Sequence, residues 1–282
     1  MSRDLPRPFK EASPDELRKI LGVCLDIDDT LSTEGKLEAP AYQALWRLKQ
    51  AGFWVIPITG RPAGWCDLIA RFWPVDAVVG ENGAFTFYLE RQGSLQVRKR
   101  LDTPKGASDE SLKRSLADLD LRIQDRFPFA RKASDQAYRE YDLAIDICEA
   151  VPPWSREDVQ SLLDFCRDQG AHAKLSSIHV NIWFGDYDKR RGFESGVLQG
   201  LAQVRRQRNE GVLPRLDQWV YVGDSPNDEP LFEGFSCSVG VANLKPYFGG
   251  LKFFPTWITE HASGSGFVEM ADQLMRVRQG ES

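Results

Sequence analysis

Leu21-Gly22-Val23-Cys24-Leu25-Asp26-Ile27-Asp28-Asp29-Thr30 joins an apolar run directly to a cluster of acids. The apolar half predicts a strand over about 21–26, without the polar alternation of a half-exposed sheet. The acids therefore fall at the strand's C-terminal rim. Asp26 and Asp28 are two residues apart, and alternate residues of an extended segment point the same way. Two carboxylates held together repel each other unless a cation or a shared proton relieves them. A site that keeps them together suits Mg²⁺, which takes oxygen ligands and often one or two carboxylates beside phosphate oxygens. Alone, the pattern is a weak signal, because an acidic turn capping the next helix produces it too. Its weight depends on what ends the other strands.

Working outward, residues 1–12 read as a loose tail, and Ser13-Pro14-Asp15-Glu16 as a capping box that opens a short helix. Downstream, Leu37, Ala41, Leu45 and Leu48 have helical spacing, closed by Gly52. Phe53 to Ile58 reads as a second apolar strand, ending in Thr59-Gly60-Arg61. A helix from Pro62 carries Trp65, Leu68, Ile69 and Phe72 on one face and stops before Pro74. A third strand at Ala77-Val78-Val79 runs into Gly80-Glu81-Asn82-Gly83. Apolar strands alternating with helices predict a parallel sheet covered on both faces.

The pattern then changes. From about 86 to 188, strand-like runs (Leu95 to Leu101, Leu143 to Cys148, Ile178 to Phe184) mix with two helical runs, and Arg126 to Arg139 reads as a polar, basic loop. This predicts an inserted α+β domain. After Asp188 the first pattern resumes with a helix through Phe193, Val197, Leu201 and Val204. A strand over 219–222 then ends in Gly223-Asp224-Ser225-Pro226-Asn227-Asp228. The expected organisation is α/β, a doubly wound, Rossmann-like parallel core from 1–86 and 189–282, with 87–188 inserted.

Composition narrows the classes. The 282 residues carry a formal net charge of −5, which argues against a nucleic-acid binder built on basic patches. No apolar stretch is long enough to span a membrane, and the N-terminus lacks the apolar core of a secretory signal. The five cysteines are odd in number and widely spaced, with no C-x-x-C, and read as reduced core thiols of a cytoplasmic protein.

In open α/β sheets, ligands sit outside the carboxyl ends of the strands, where the strand order reverses. If the first three strands order as 3-2-1 and the chain then crosses to the free side of strand 1, strand 219–222 becomes its neighbour. The acids of both would then share one crevice. Phosphoryl transfer is the chemistry that fits. Asp26 is a plausible nucleophile and Asp28 a plausible acid and base. Thr59 and its loop offer a hydroxyl and backbone N–H groups to phosphate oxygens. A lysine is still required to offset developing charge.

Asp26-x-Asp28-x-Thr30, Thr59-Gly60-Arg61, Lys189 at a helix start and Gly223-Asp224-x-x-Asn227-Asp228 occur in that order. Together they resemble the four motifs of the haloacid dehalogenase superfamily. An insertion between the second and third motifs is similar to the subfamily with a type-2 cap. Glu81-Asn82-Gly83-Ala84 resembles its Cof-type, sucrose-phosphate and mannosyl-phosphoglycerate phosphatase branch. One departure is that two arginines follow Lys189. The resemblance implies Asp26 as nucleophile, Asp28 as acid/base, and Thr59, Gly60 and Lys189 as phosphate ligands. It implies Mg²⁺ on Asp26, the backbone carbonyl of Asp28 and Asp224, with Asp228 nearby. The implied substrate is a small phosphorylated metabolite, best a sugar phosphate. Arg61, Asn82 and Asn227 are further candidates beside the substrate. So are His179 and Asn181, on the polar face of an inserted strand, where they would select the leaving group if that face is not simply solvated. A phosphomutase or phosphotransferase on this scaffold, or a non-catalytic phosphate sensor, are the rival readings.

Overall fold

The computed structural model describes residues 5–103 and 110–280. Its centre is a parallel sheet. The chain lays down β1 (Arg7–Pro8), α1 (Pro14–Leu17), β2 (Gly22–Leu25), α2 (Ala39–Gln50), β3 (Trp54–Pro57), α3 (Ala63–Phe72) and β4 (Ala77–Gly80). A hairpin follows, β5 (Phe85–Gln92) and β6 (Leu95–Asp102). Then come α4 (Glu110–Arg126), β7 (Arg131–Lys132), β8 (Leu143–Asp146), α5 (Arg156–Asp168), β9 (His172–Leu175) and β10 (His179–Trp183). The chain returns through α6 (Lys189–Gly192), π-helical turns over Phe193–Leu201 and α7 (Ala202–Gln207). It closes with β11 (Trp219–Gly223), α8 (Glu229–Gly234), β12 (Cys237–Gly240), β13 (Trp257–Ile258) and α9 (Ser263–Gln279).

The sheet order is β1-β13-β12-β11-β2-β3, all parallel, and an Ile58–Val79 bridge adds β4 beyond β3. The expected 3-2-1 order, with the post-insertion strand on the far side of strand 1, is what forms. Strand alternation supplies both faces. Val23, Leu25, Val55 and Val222 point to one core with Leu45 and Leu48 of α2 and Phe267 and Met270 of α9. Cys24, Ile56 and Tyr221 point to the other, with Phe193, Val197 and Phe232. Each fully buried large side chain contributes about 1.5–3 kcal/mol. Gly22 is required in β2 because its strand partner Trp219 lies where a Cβ would sit.

Three expectations are revised. The tail is not loose over its described part: β1 pairs with β13, and buried Phe9 packs edge-on against Trp257. Residues 1–4 lie outside the described residues. The hairpin β5–β6, which straddles the expected boundary at 87, pairs antiparallel with β4 rather than with the insertion's own sheet. Cys24, Cys66 and Cys166 are buried free thiols, but Cys148 is exposed.

The inserted sheet has order β7-β8-β10-β9. One face carries Leu143, Ile145, Val180 and Ile182 against Leu119, Ile123, Leu162 and Cys166 of α4 and α5. Alternation sends His179 and Asn181 to the opposite face, which looks onto the strand ends of the core. Trp183 and Tyr187 anchor the return path in a cluster with Ile69 and Phe87.

Candidate active site

Asp26 and Asp224 follow the adjacent parallel strands β2 and β11, so strand pairing itself brings them together. Asp26, Asp224 and Asp228 each offer an oxygen within 4.8 Å of the others, and all three are buried. Lys189 reaches them from the start of α6. Its Nζ lies 3.0 Å from Asp26 Oδ1 and donates to Asp228 Oδ1 at 2.6 Å. Two glycines set this approach: Gly83, at φ +106°, and Gly192 lie so close that a Cβ on either would collide with the other turn's backbone. The turn after β4 and the start of α6 therefore touch, and Lys189 is lowered into the crevice.

Burial dominates the electrostatics. It pushes the Asp26 carboxyl up to about 7; Lys189 pulls it down, and Asp228 and Asp28 push it further up. Burial also raises Asp224 well above the carboxylate range, with Asp228 adding to the effect. Lys189 loses hydration as well, yet Asp228 and Asp26 outweigh that and hold its ammonium above the usual lysine range. With all three ionised, the carboxylates face one ammonium and two negative charges are unbalanced, the charge of one divalent cation. All-oxygen donors at this spacing fit Mg²⁺.

The three carboxylates are not equivalent. Asp228 Oδ1 accepts from Lys189 and from the Tyr221 hydroxyl at 2.5 Å, and Oδ2 accepts from the backbone N–H of Asp224 and Ser225. These four donors match the roughly four acceptor positions of a carboxylate. Asp228 thus shapes the loop that carries Asp224. Asp224 Oδ1 accepts from the Thr30 hydroxyl at 3.1 Å, and its Oδ2 from Asn243 Nδ2 at 3.3 Å. Asn227 is turned to Ser225, whose hydroxyl donates to it at 2.8 Å.

Asp28 belongs to a different set of contacts. Arg61 grips both its oxygens, with Nε at 3.0 Å from each and Nη2 at 2.7 Å from Oδ1. The same guanidinium donates to Asp135 at 3.2 Å and Glu149 at 2.9 Å, both from the inserted segment, and its plane lies over Trp65. Glu149 Oε2 meets His179 Nε2 at 3.0 Å. That hydrogen bond, aided by Arg61, lowers the Glu149 carboxyl to about 2 against the effect of burial.

Thr59 is buried, and its hydroxyl accepts from the backbone N–H of Arg61 rather than capping α3. The cap comes from Glu81, which accepts from Ala63 N–H at 2.9 Å and from the backbone N–H groups of Glu140, Tyr141 and Asp142. Burial and neighbouring Asp142 push Glu81 up to about 8 despite these donors. Asn82, at φ 55°, donates to Asp142, and so does Asn181. Gly60 lies against both amides, and its carbonyl accepts from Arg139 at 2.8 Å.

The strand ends thus gather Asp26, Asp28, Thr59, Gly60, Lys189, Asp224 and Asp228, while Arg61, Asn82, His179 and Asn181 form the junction with the inserted sheet. His179 and Asn181 are 2% and 1% exposed, so their face is not solvated. Sequence reasoning missed Tyr221, Asn243, Asp135, Arg139 and Glu149, and took no role from Glu81 although it quoted the residue.

No family model matches the chain. Phosphoglycolate phosphatase of Methanothrix thermoacetophila is 26% identical over 257 residues, covering 90% of this chain and 97% of that protein. The C-terminal domain of C. albicans trehalose-6-phosphate phosphatase superposes with a TM-score of 0.66 at 14% identity, over 97% of this chain and 99% of that one. A HAD/COF-like hydrolase from Plasmodium vivax gives 0.62 at 16% identity, over 95% and 100%. What the chain shares with these structures is the fold, a parallel α/β core with an inserted α+β domain. Among the described residues, no helix is long and apolar enough to cross a membrane.

Proposed function

We propose that this chain is a Mg²⁺-dependent phosphomonoester hydrolase that works through an aspartyl-phosphate on Asp26. The observation that carries the reading is the buried Asp26 carboxylate, paired with Lys189 and sharing one acidic crevice with Asp224. Relatives named as phosphatases for phosphoglycolate and trehalose-6-phosphate support it. The substrate is a small phosphorylated metabolite, with a sugar phosphate foremost.

Asp26 Oδ attacks phosphorus and the ester oxygen leaves, taking a proton from Asp28. Asp28 then removes a proton from the water that attacks the aspartyl-phosphate, which releases phosphate and restores Asp26. Lys189, the Thr59 hydroxyl and the Gly60 N–H hold the phosphoryl oxygens. Asp26, the Asp28 backbone carbonyl and Asp224 would hold the Mg²⁺, which when bound offsets the repulsion between nucleophile and phosphate. Asp228 stays with Lys189 and Tyr221 and keeps both in register. The cap is the four-stranded sheet with α4 and α5; its closure excludes bulk water while the phosphoryl group moves.

A Mg²⁺-supplemented assay over a panel of phosphate esters tests this. Turnover should stop when a chelator removes the metal and return when it is restored. Asp26→Asn should lower kcat by about a thousandfold or more. No turnover of any ester by the wild-type protein, or full activity in Asp26→Asn, contradicts the reading.

A further inference from the structure

One nitrogen of Arg61, Nη2, bridges Asp28 on the core and Glu149 on the cap, at 2.7 and 2.9 Å. In the reading above, Asp28 hands its proton to the leaving oxygen. Whatever that oxygen belongs to must therefore lie beside Asp28, close to Glu149 and His179. Glu149 is built into this position. The buried Asp146 carboxylate accepts from the backbone N–H groups of Cys148, Glu149 and Ala150 at 2.8–3.0 Å and fixes their turn. His179, from the neighbouring strand, holds the second oxygen of Glu149.

The junction around Arg61 carries a surplus of negative charge. Arg61 and Arg139 face Asp28, Asp135, Asp142 and Glu149, so two cations meet four carboxylates. Neither arginine is idle. Arg61 contacts three carboxylates, and Arg139, its side chain fully covered, is divided between Asp135, Asp142 and the Gly60 carbonyl. A carboxylate on the leaving group would meet this surplus with neither of these two guanidiniums free to receive it. A hydroxyl would find carboxylate acceptors and an imidazole already placed.

We propose that Glu149, oriented by Asp146 and His179, reads the leaving group, and that the site accepts an uncharged, hydroxyl-bearing leaving group and turns away one that carries a carboxylate. This rests on the phosphatase reading and adds to it the charge class of the substrate. It also separates this chain from the activity named for the phosphoglycolate phosphatase it resembles, since the leaving group of phosphoglycolate carries a carboxylate. Like charges brought together raise the cost of binding the wrong partner, and specificity built this way depends on the repelling group.

The test uses the full-length protein with Mg²⁺ and matched esters: glucose 6-phosphate against 6-phosphogluconate, and glycerol 3-phosphate against 3-phosphoglycerate. p-Nitrophenyl phosphate is the common reference. The wild-type kcat/KM should favour the uncharged member of each pair by about tenfold or more, and Glu149→Gln should shrink that ratio several-fold. The readout is the ratio, whichever way the absolute rates move. The wild-type comparison stands alone if the variant folds poorly. Equal or reversed preference in the wild-type protein overturns the proposal, as does a ratio unchanged in a folded Glu149→Gln. Turnover of p-nitrophenyl phosphate in those cases leaves the phosphatase reading intact; no turnover of any ester removes both.

Discussion

Asp26 and Asp28 are two residues apart, yet each is held by a different cation in a different kind of place. Asp26 meets Lys189, a compact charge whose other carboxylate partner, Asp228, also lies on the core. Asp28 meets Arg61, whose planar fork is divided between the core and two carboxylates of the inserted segment. The first cluster is made of core residues alone. The second ties a core pair, Arg61 and Asp28, to Asp135 and Glu149 of the inserted segment. In the proposed mechanism the nucleophile sits in the part that does not move, and the proton carrier sits at the joint. Arginine suits the joint, because its fork satisfies several partners at once, and lysine suits the crevice, where one ammonium fits between two carboxylates.

Replacing Lys189 breaks the first cluster and should have the largest effect. Lys189→Met leaves Asp26 and Asp228 buried without their cation, and removing one partner of a buried pair costs about 3–5 kcal/mol. Turnover should also fall by about a hundredfold or more, because developing phosphoryl charge loses its donor. Urea denaturation and steady-state kinetics measure the two losses. Added Mg²⁺ should recover part of the stability and little of the rate. A variant as stable as the wild type would mean that the crevice does not depend on this ion pair.

Arg61→Lys breaks the second cluster more gently. Lysine keeps the charge but cannot span Asp28, Asp135 and Glu149 together. We expect kcat/KM to fall by about ten- to a hundredfold with folding largely preserved, since an Arg-to-Lys change at a bidentate site is not conservative. Wild-type kinetics in this variant would reduce the joint to a matter of charge alone.

The two clusters also differ in how far the sequence revealed them. Asp26, Asp28, Lys189 and Asp224 were legible because each ends a strand or starts a helix, and the sheet's topology does the rest. The register that pairs Val222 with Leu25 brings Asp26 level with Gly223, one residue before Asp224. The joint had no such signal. Arg61 meets partners 74 and 88 residues away, from turns with no periodicity. Asp135 and Arg139 lie in a stretch that reads as a polar loop, and only the fold shows Asp135 buried and the Arg139 side chain covered. Tyr221 alternates among apolar neighbours in β11, so nothing marks its hydroxyl as a partner of Asp228. The hairpin β5–β6 misled for a related reason. Its pattern says strand, but which sheet a strand joins is decided by pairing, and β4 was the free edge.

Acid offers the mildest way to open the joint, and comparing wild type with a Glu149 variant at each pH cancels the titration of the crevice, where Asp26 is raised to about 7. Glu149 has its carboxyl lowered to about 2 by the His179 hydrogen bond and by Arg61. A carboxylate lowered on folding contributes stability that is present above its unfolded value, 4.5, and is lost as the pH falls through its folded one. The contribution should therefore be complete near pH 6 and shrink steadily below about 4.5. Glu149 is half-buried, so the effect is small: a fraction of a kcal/mol to about 1 kcal/mol, or roughly 2 °C in Tm for a chain of this size. Melting curves of wild type and Glu149→Gln at a series of pH values isolate it. The gap between the two should be widest near neutrality and close on acidification. A gap that stays constant, or widens as the pH falls, would show that Glu149 holds cap to core by packing rather than by charge.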